Sequence, residues 1–218
     1  MGVRSFFWKL SEFLKLDKPK LFNIVASRDG KLYEIRRETL GLMITPAENI
    51  IECEEVPTGF RFDLPKIPHT ILRQVEGFFK YYCDELDQNE AMVQIFWDLQ
   101  LKQYIVECPH QWVKFDRINA NFSRQLEDAN RYIEVCHIHS HNTMEARFSS
   151  IDDAHEQAFM IYAVIGRLHR KEPEMEIRVG YNGKFFRLDS DLIFENASLG
   201  SPSEFPEAWT KRVHVIRD

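Results

Sequence analysis

The sequence contains no paired cysteines. Cys53, Cys83, Cys108 and Cys136 lie far apart and no C-x-x-C occurs, so neither a zinc ribbon nor a dithiol redox site is encoded. Free thiols buried in a reducing cytosol are the expected state. No apolar run approaches the roughly 20 residues that cross a bilayer. Near the start, Phe6-Phe7-Trp8 is interrupted by Lys9, Glu12 and Lys15 before the apolar region of a signal peptide can form. A soluble, cytoplasmic protein is therefore expected, with no membrane partner. Basic residues are also short: 28 Lys and Arg stand against 34 Asp and Glu, a net charge of −6. That balance argues against nucleic acid, whose phosphates demand clustered cations. Internal repeats and low-complexity stretches are missing too, which removes solenoids and disordered linkers from consideration.

What the chain does have is length for one well-buried domain plus extensions, and 17 phenylalanines to build an aromatic-rich core. Phe6, Phe7, Leu10, Phe13 and Leu14 recur at helical spacing and predict a short amphipathic helix ended by Pro19. Strands are predicted over 21–26 and 32–35 around Asp29-Gly30, and again over 50–56 and 59–62. Pro68 opens a helix whose stripe of Ile71, Leu72, Val75, Phe79 and Tyr82 runs to Leu86. Strands over 91–97, 103–107, 112–115 and 131–141 follow. A helix from Ser149 or Ser150 is then predicted to about His169, its apolar face made by Ile151, Ala158, Phe159, Tyr162, Ile165 and Leu168. Tyr181-Asn182-Gly183 between 177–180 and 184–188 is a strong hairpin signal. The tail from Ala197 is expected to wrap the surface or fray. Helices between strands, with hairpins, indicate an α/β domain with a mixed β-sheet.

The chemistry is concentrated in one run, His139-Ser140-His141, then seven residues, then Ser149-Ser150-Ile151-Asp152. Two histidines two apart on a strand point to the same face, roughly 7 Å apart along the backbone. Both can therefore reach one metal at about 2.0–2.1 Å, and an aspartate at the start of the next helix supplies a third ligand. Three protein ligands with an open fourth position describe a catalytic rather than a structural zinc. His137 makes a second H-x-H with His139. Counted against the JAMM signature that these residues resemble, eight on from His139 stands Arg147, whereas eight on from His141 stands Ser149 and eleven on stands Asp152. The resemblance therefore implies the His139/His141 register, leaving His137 as a core or supporting histidine. His69, His110, His169 and His214 have no metal-like spacing, and His155 is read as surface or ligand-orienting.

His139, His141, Ser149 and Asp152 resemble the JAMM signature of the MPN-domain zinc metalloproteases, in particular its bacterial branch, often found beside ubiquitin-like proteins. The resemblance spans residues 67–195, leaving 1–66 as an N-terminal extension and 196–218 as a tail. Asn142 stands where the family usually has proline. The resemblance implies an MPN (JAMM, cytidine-deaminase-like) fold with helices flanking the mixed sheet and one catalytic zinc ion. It also implies a glutamate general base upstream, where a strand follows the first long helix; Glu90 fits that place. Glu76, Glu107 and Glu134 are rival glutamates better explained by surface pairing. Ser149 becomes the oxyanion donor, with Ser150 the expected helix cap and Asp153 a first-turn acid favoured by the helix dipole. The implied activity is deubiquitinase-like: a zinc isopeptidase or peptidase cutting after the C-terminal tail of a ubiquitin-like protein. The expected partners are that protein or its conjugate, and an activating enzyme encoded nearby. Residues 144–148 and the N-terminal extension are candidates to line the groove. Two other readings stand beside it: a zinc-keeping MPN scaffold with little turnover, and a zinc hydrolase of a small amide or carrier-protein adduct. A zinc nucleoside deaminase is disfavoured, since H-x-E with P-C-x-x-C is missing.

Overall fold

In the computed structural model, which describes residues 4–83, 88–121, 126 and 128–216, the chain divides into two compact units, Met1–Thr58 and Gly59–Asp218. In the first, β1 (Arg4–Phe7) leads through α1 (Leu10–Leu14) to a parallel neighbour, β2 (Phe22–Ala26). Strands β3 (Leu32–Glu38) and β4 (Gly41–Pro46) then add in antiparallel order. Phe13, Val25 and Ile35 form the small core, with Phe7 against it. Phe6 and Phe7 thus belong to a strand and not to the predicted helix, which is confined to five residues. The predicted strands over 50–56 and 59–62 are irregular backbone; Phe60 and Phe62 instead pack on the core of the second unit.

The second unit is a mixed α/β structure. α2 (His69–Tyr82) buries Leu72, Val75, Phe78 and Phe79, the face its apolar spacing defines. Leu86, at the end of the predicted stripe, lies outside the described residues. β5 (Met92–Asp98) and β6 (Gln103–Glu107) form a hairpin, and β7 (His110–Lys114) and β8 (Arg117–Asn121) a second one. β9 (Tyr132–Ser140) lies antiparallel to β5. A short helix, α3 (Ser150–His155), then leads to β10 (Met160–Gly166), which pairs parallel to β9. β11 (Glu174–Tyr181) and β12 (Lys184–Leu188) close a six-stranded sheet of order β12-β11-β10-β9-β5-β6. Their turn carries Asn182 and Gly183 at φ of 50° and 74°, the positive values an Asn-Gly hairpin supplies.

The helix predicted to reach His169 ends at His155. Its spacing accounted for Tyr162 and Ile165 but ignored Ile161, Ala163 and Val164 between them. An uninterrupted apolar run with β-branched residues is the mark of a strand covered on both faces, and β10 is buried along nearly its whole length.

The alternation of side chains splits this sheet into two dissimilar faces. Val93, Ile95, Cys136, Ile138, Ile161, Ala163 and Ile165 join α2 in one apolar core. The opposite face carries Gln94, His137, His139, Tyr162 and Arg178, consistent with the pairing of His137 with Gln94 and Tyr162. Through residue 216 the tail wraps the surface. Ser203 N–H donates to Arg73 O across Gly77, and Phe205 and Trp209 pack on Phe78. After α4 (Ser190–Ile193) and a 3₁₀ turn at Glu207–Arg212, β13 (Val213–Val215) pairs parallel to β7. No helix among the described residues is long and apolar enough to cross a membrane.

Gly166 ends β10 where the segment after His141 crosses it. A Cβ there would lie 2.4 Å from Ala146 N and 2.5 Å from Met144 O, both backbone atoms that cannot swing aside. Gly166→Ala is expected to cost about 1–3 kcal/mol by overpacking. Urea denaturation checks this, with Gly59→Ala, which meets nothing within 4 Å, as a control close to wild type.

Candidate metal centre

His139 and His141 occupy the carboxyl end of β9 and the position just after it, where a parallel strand hands the chain to its crossover. In open α/β sheets this is where ligands are bound. Asp152 comes from the first turn of α3, within that crossover. The three residues offer ligand atoms within 4.8 Å of one another. His139 Nε2 is 3.1 Å from His141 Nε2 and 3.5 Å from Asp152 Oδ1. Four ligands at about 2.05 Å around a tetrahedral ion stand about 3.3 Å apart, so the observed spacings suit one such ion. The protonation state suits it as well. His141 Nδ1 faces Glu145 O at 3.3 Å, which fixes the proton there and leaves Nε2 bare.

Electrostatics point the same way. Burial lowers the His139 imidazole to about 4, against the pull of the Asp152 carboxylate, and burial lowers His141 too. Two imidazoles favoured in the neutral form thus bring their Nε2 atoms together at one point. Asp152 is held below the usual carboxylate range: burial pushes it up, but His139 and the Ser149 N–H and hydroxyl outweigh burial. The Ser149 hydroxyl donates to Asp152 Oδ2 at 2.7 Å and the Ser149 N–H donates to the same oxygen at 2.6 Å, leaving Oδ1 toward His139. Ser149 Oγ in turn accepts from Asp152 N–H, so the helix cap is a Ser149–Asp152 capping box. Ser149, and not Ser150, is therefore the N-cap; Ser150 is the first helical residue.

Glu90 lies beside this group, nearly buried at 6% exposure. Burial, then the charges of Asp152 and Asp116, push its carboxyl up to about 8. Hydrogen bonds from Lys114, Ser140, Gln111 and Asn142 hold Glu90 and the residues on either side of it. Its own N–H donates to Lys114 O. Ala91 N–H donates to Ser140 Oγ while Ala91 O accepts from Ser140 N–H, each at 2.9 Å. The buried Gln111 amide brackets Met92, accepting from its N–H and donating to its O. Asn142 donates through Nδ2 to Gln88 O and, at 2.8 Å, to Phe115 O.

Asn142 is fully buried and has φ of 44°, a left-handed conformation that proline cannot adopt. It is an asparagine that tolerates positive φ and ties the segment ahead of Glu90 to the end of β9. Its role was invisible without the fold, as was that of Ser140. Arg178 was missed for the same reason; it meets Asp153 and Glu156 from two strands away. The helix-dipole reading of Asp153 explains its place in the first turn but not this partner.

The remaining candidates are accounted for elsewhere. His137 pairs with Glu134 at 2.7 Å and approaches Gln94, outside the metal group. Glu76 is buried, accepting from Gly200 N–H and pairing with Lys80, and Glu107 pairs with Arg212. His155 is exposed at the end of α3, and His110 and His214 stack near Trp112. Of residues 144–148, Phe148 sets its ring edgewise to His139 at 6.3 Å.

The raised Glu90 carboxyl generates a pH test. Folded, it keeps its proton up to about 8; unfolded, it releases it near 4.5. The unfolded state therefore binds fewer protons in that window, and stability falls as pH rises through it. Zinc-free wild type is expected to lose stability relative to Glu90→Gln between about pH 5 and pH 8, as read by urea midpoints in chelator.

No protein-family model matches this chain, and no curated protein matches it either.

Proposed function

We propose that the protein is a zinc-dependent isopeptidase or peptidase of the JAMM type, on an MPN fold, that cuts after the C-terminal tail of a ubiquitin-like protein. The observation that carries the hydrolase reading is the convergence of two neutral imidazoles and a carboxylate on one point, with a buried glutamic acid beside it. The ubiquitin-like substrate is supported by the resemblance of His139, His141, Ser149 and Asp152 to that family's signature.

His139, His141 and Asp152 would hold the ion. A zinc bound there supplies an acidic water and a Lewis acid for the scissile carbonyl. The chain's residues handle the protons. Glu90, whose raised carboxyl a neighbouring cation would lower so that it ionises, accepts the proton of the attacking water and delivers it to the departing amine nitrogen. Burial keeps its carboxyl near the operating pH, where one group can serve as base and then as acid. The Ser149 hydroxyl, positioned by the capping box, donates to the oxygen of the tetrahedral carbon. The buried Glu90 also weighs against a scaffold without turnover, since a raised, charge-neighboured carboxyl has no packing role to explain it.

His139→Ala and Asp152→Ala are each expected to lose zinc and activity together. Glu90→Gln should retain zinc while turnover falls by about 10²–10⁴. Metal analysis and cleavage of a ubiquitin-like fusion check both. Full activity in Glu90→Gln removes its role, and a wild type that binds no zinc overturns the reading.

A further inference from the structure

The helix that carries Asp152 has little of its own to hold it in place. α3 has six residues, far short of what is stable alone in water, and none of residues 150–155 is buried. An apolar face cannot anchor it. Besides His139 beside Asp152, what reaches it from the sheet among the described residues is the guanidinium of Arg178. Arg178, on β11, is itself buried at 6% exposure. It donates through Nε and Nη2 to Glu156 Oε2 at 2.9 and 2.5 Å, and through Nη1 to Asp153 Oδ1 at 2.5 Å. Its plane lies between two rings, 3.8 Å from Phe148 and 3.7 Å from Phe185.

These contacts bracket the ligand. Phe148 precedes the Ser149 cap, Asp153 follows Asp152, and Glu156 ends the helix. One side chain thus grips α3 before its first turn, within it and at its end. Beyond the helix, Tyr162 hydroxyl donates to Ala158 O and Asn182 N–H to Gln157 O, and the Gln157 amide donates back to Asp153 O and Ala154 O; these tie the backbone at the carboxyl end of α3, while Arg178 holds the side chains on either side of Asp152.

We infer that Arg178 is a positioning residue for the metal centre, setting the Asp152 carboxylate against His139 and His141 by clamping α3 to the sheet. The inference rests on the proposal that these three residues bind zinc. A planar fork suits this task where a lysine would not: it serves two carboxylates at once and stacks on both faces. A support of this kind typically alters metal affinity by about 10–100-fold when removed.

The test reads affinity and fold separately. Zinc affinity is measured by competition with a chelating indicator, and the thermal midpoint of the zinc-free protein by circular dichroism. Arg178→Gln is expected to bind zinc about 10–100-fold more weakly than wild type. Asp153→Asn, which trims the more exposed arm and keeps the Glu156 pair, is expected to lose about 3–10-fold with its zinc-free midpoint near wild type. Zinc affinity within about twofold of wild type in Arg178→Gln, with only the midpoint lowered, would make the residue mere packing and overturn the inference. Should Arg178→Gln fail to fold, Asp153→Asn decides, and unchanged affinity there overturns it equally. A wild type that takes up no zinc sinks the metal centre itself, and the clamp with it.

Discussion

The register of β9 between β5 and β10 is the constraint on which the site depends. Side chains alternate along a strand, so a slip of one residue would exchange its two faces. In the observed register Cys136, Ile138 and Ser140 turn into the interior, while His137 and His139 turn to the polar face. Val93, Ile95, Ile161, Ala163 and Ile165 share the core side, and burying them together is what prevents the slip. The histidines are thus placed by their neighbours' hydrophobicity. Ser140 adds a polar lock, exchanging bonds in both directions with Ala91 and so fixing the start of β5, hence Glu90, relative to the metal strand.

Around that frame stand the charges that support the proposed zinc site. Two half-buried imidazoles with lowered pKa, a carboxylate turned toward them, and an almost fully buried Glu90 forced upward by Asp152 and Asp116 form a strained set when considered as protein alone. Under the proposed reading, a divalent ion at the point they share would favour neutral imidazoles, pair with Asp152 and lower Glu90. This is the electrostatic support for the proposed zinc hydrolase. It adds to the motif the burial that the fold gives these groups and the charge of Asp116, which the motif does not contain.

The motif itself was legible because its spacing follows local geometry. Two residues apart along β9, and three apart in the Ser149–Asp152 capping box of α3, are offsets that local structure imposes. Asn182-Gly183 was legible for the same reason, its positive φ values being encoded by the two residues alone. Where reading failed, the deciding interaction was tertiary. The 161–165 run satisfied a helical stripe as well as a buried strand, and only two adjacent strands settle between them. Asn142 read as a departure from a pattern, because the carbonyls it serves, Gln88 and Phe115, are 54 and 27 residues away. Arg178 sits 25 and 22 residues from its acidic partners, and nothing in its own neighbourhood marks it.

Ser149 had two readings, helix cap and oxyanion donor, and the geometry makes them compatible in sequence of time. Its hydroxyl proton is committed to Asp152 Oδ2, but that oxygen also accepts the Ser149 N–H. If the hydroxyl rotates toward a developing oxyanion, Oδ2 keeps its backbone donor and Oδ1 stays free for the ion. The rotation exchanges one charge-assisted hydrogen bond for another, each worth about 1.5–3 kcal/mol, so it costs little net. Under the proposed mechanism the second oxygen is the more demanding acceptor, because Asp152 shares its charge with the metal while the oxyanion is forming its own. A capping box thus holds the carboxylate firmly enough to survive the loss of one of its two bonds, which is what a hydroxyl with two tasks requires.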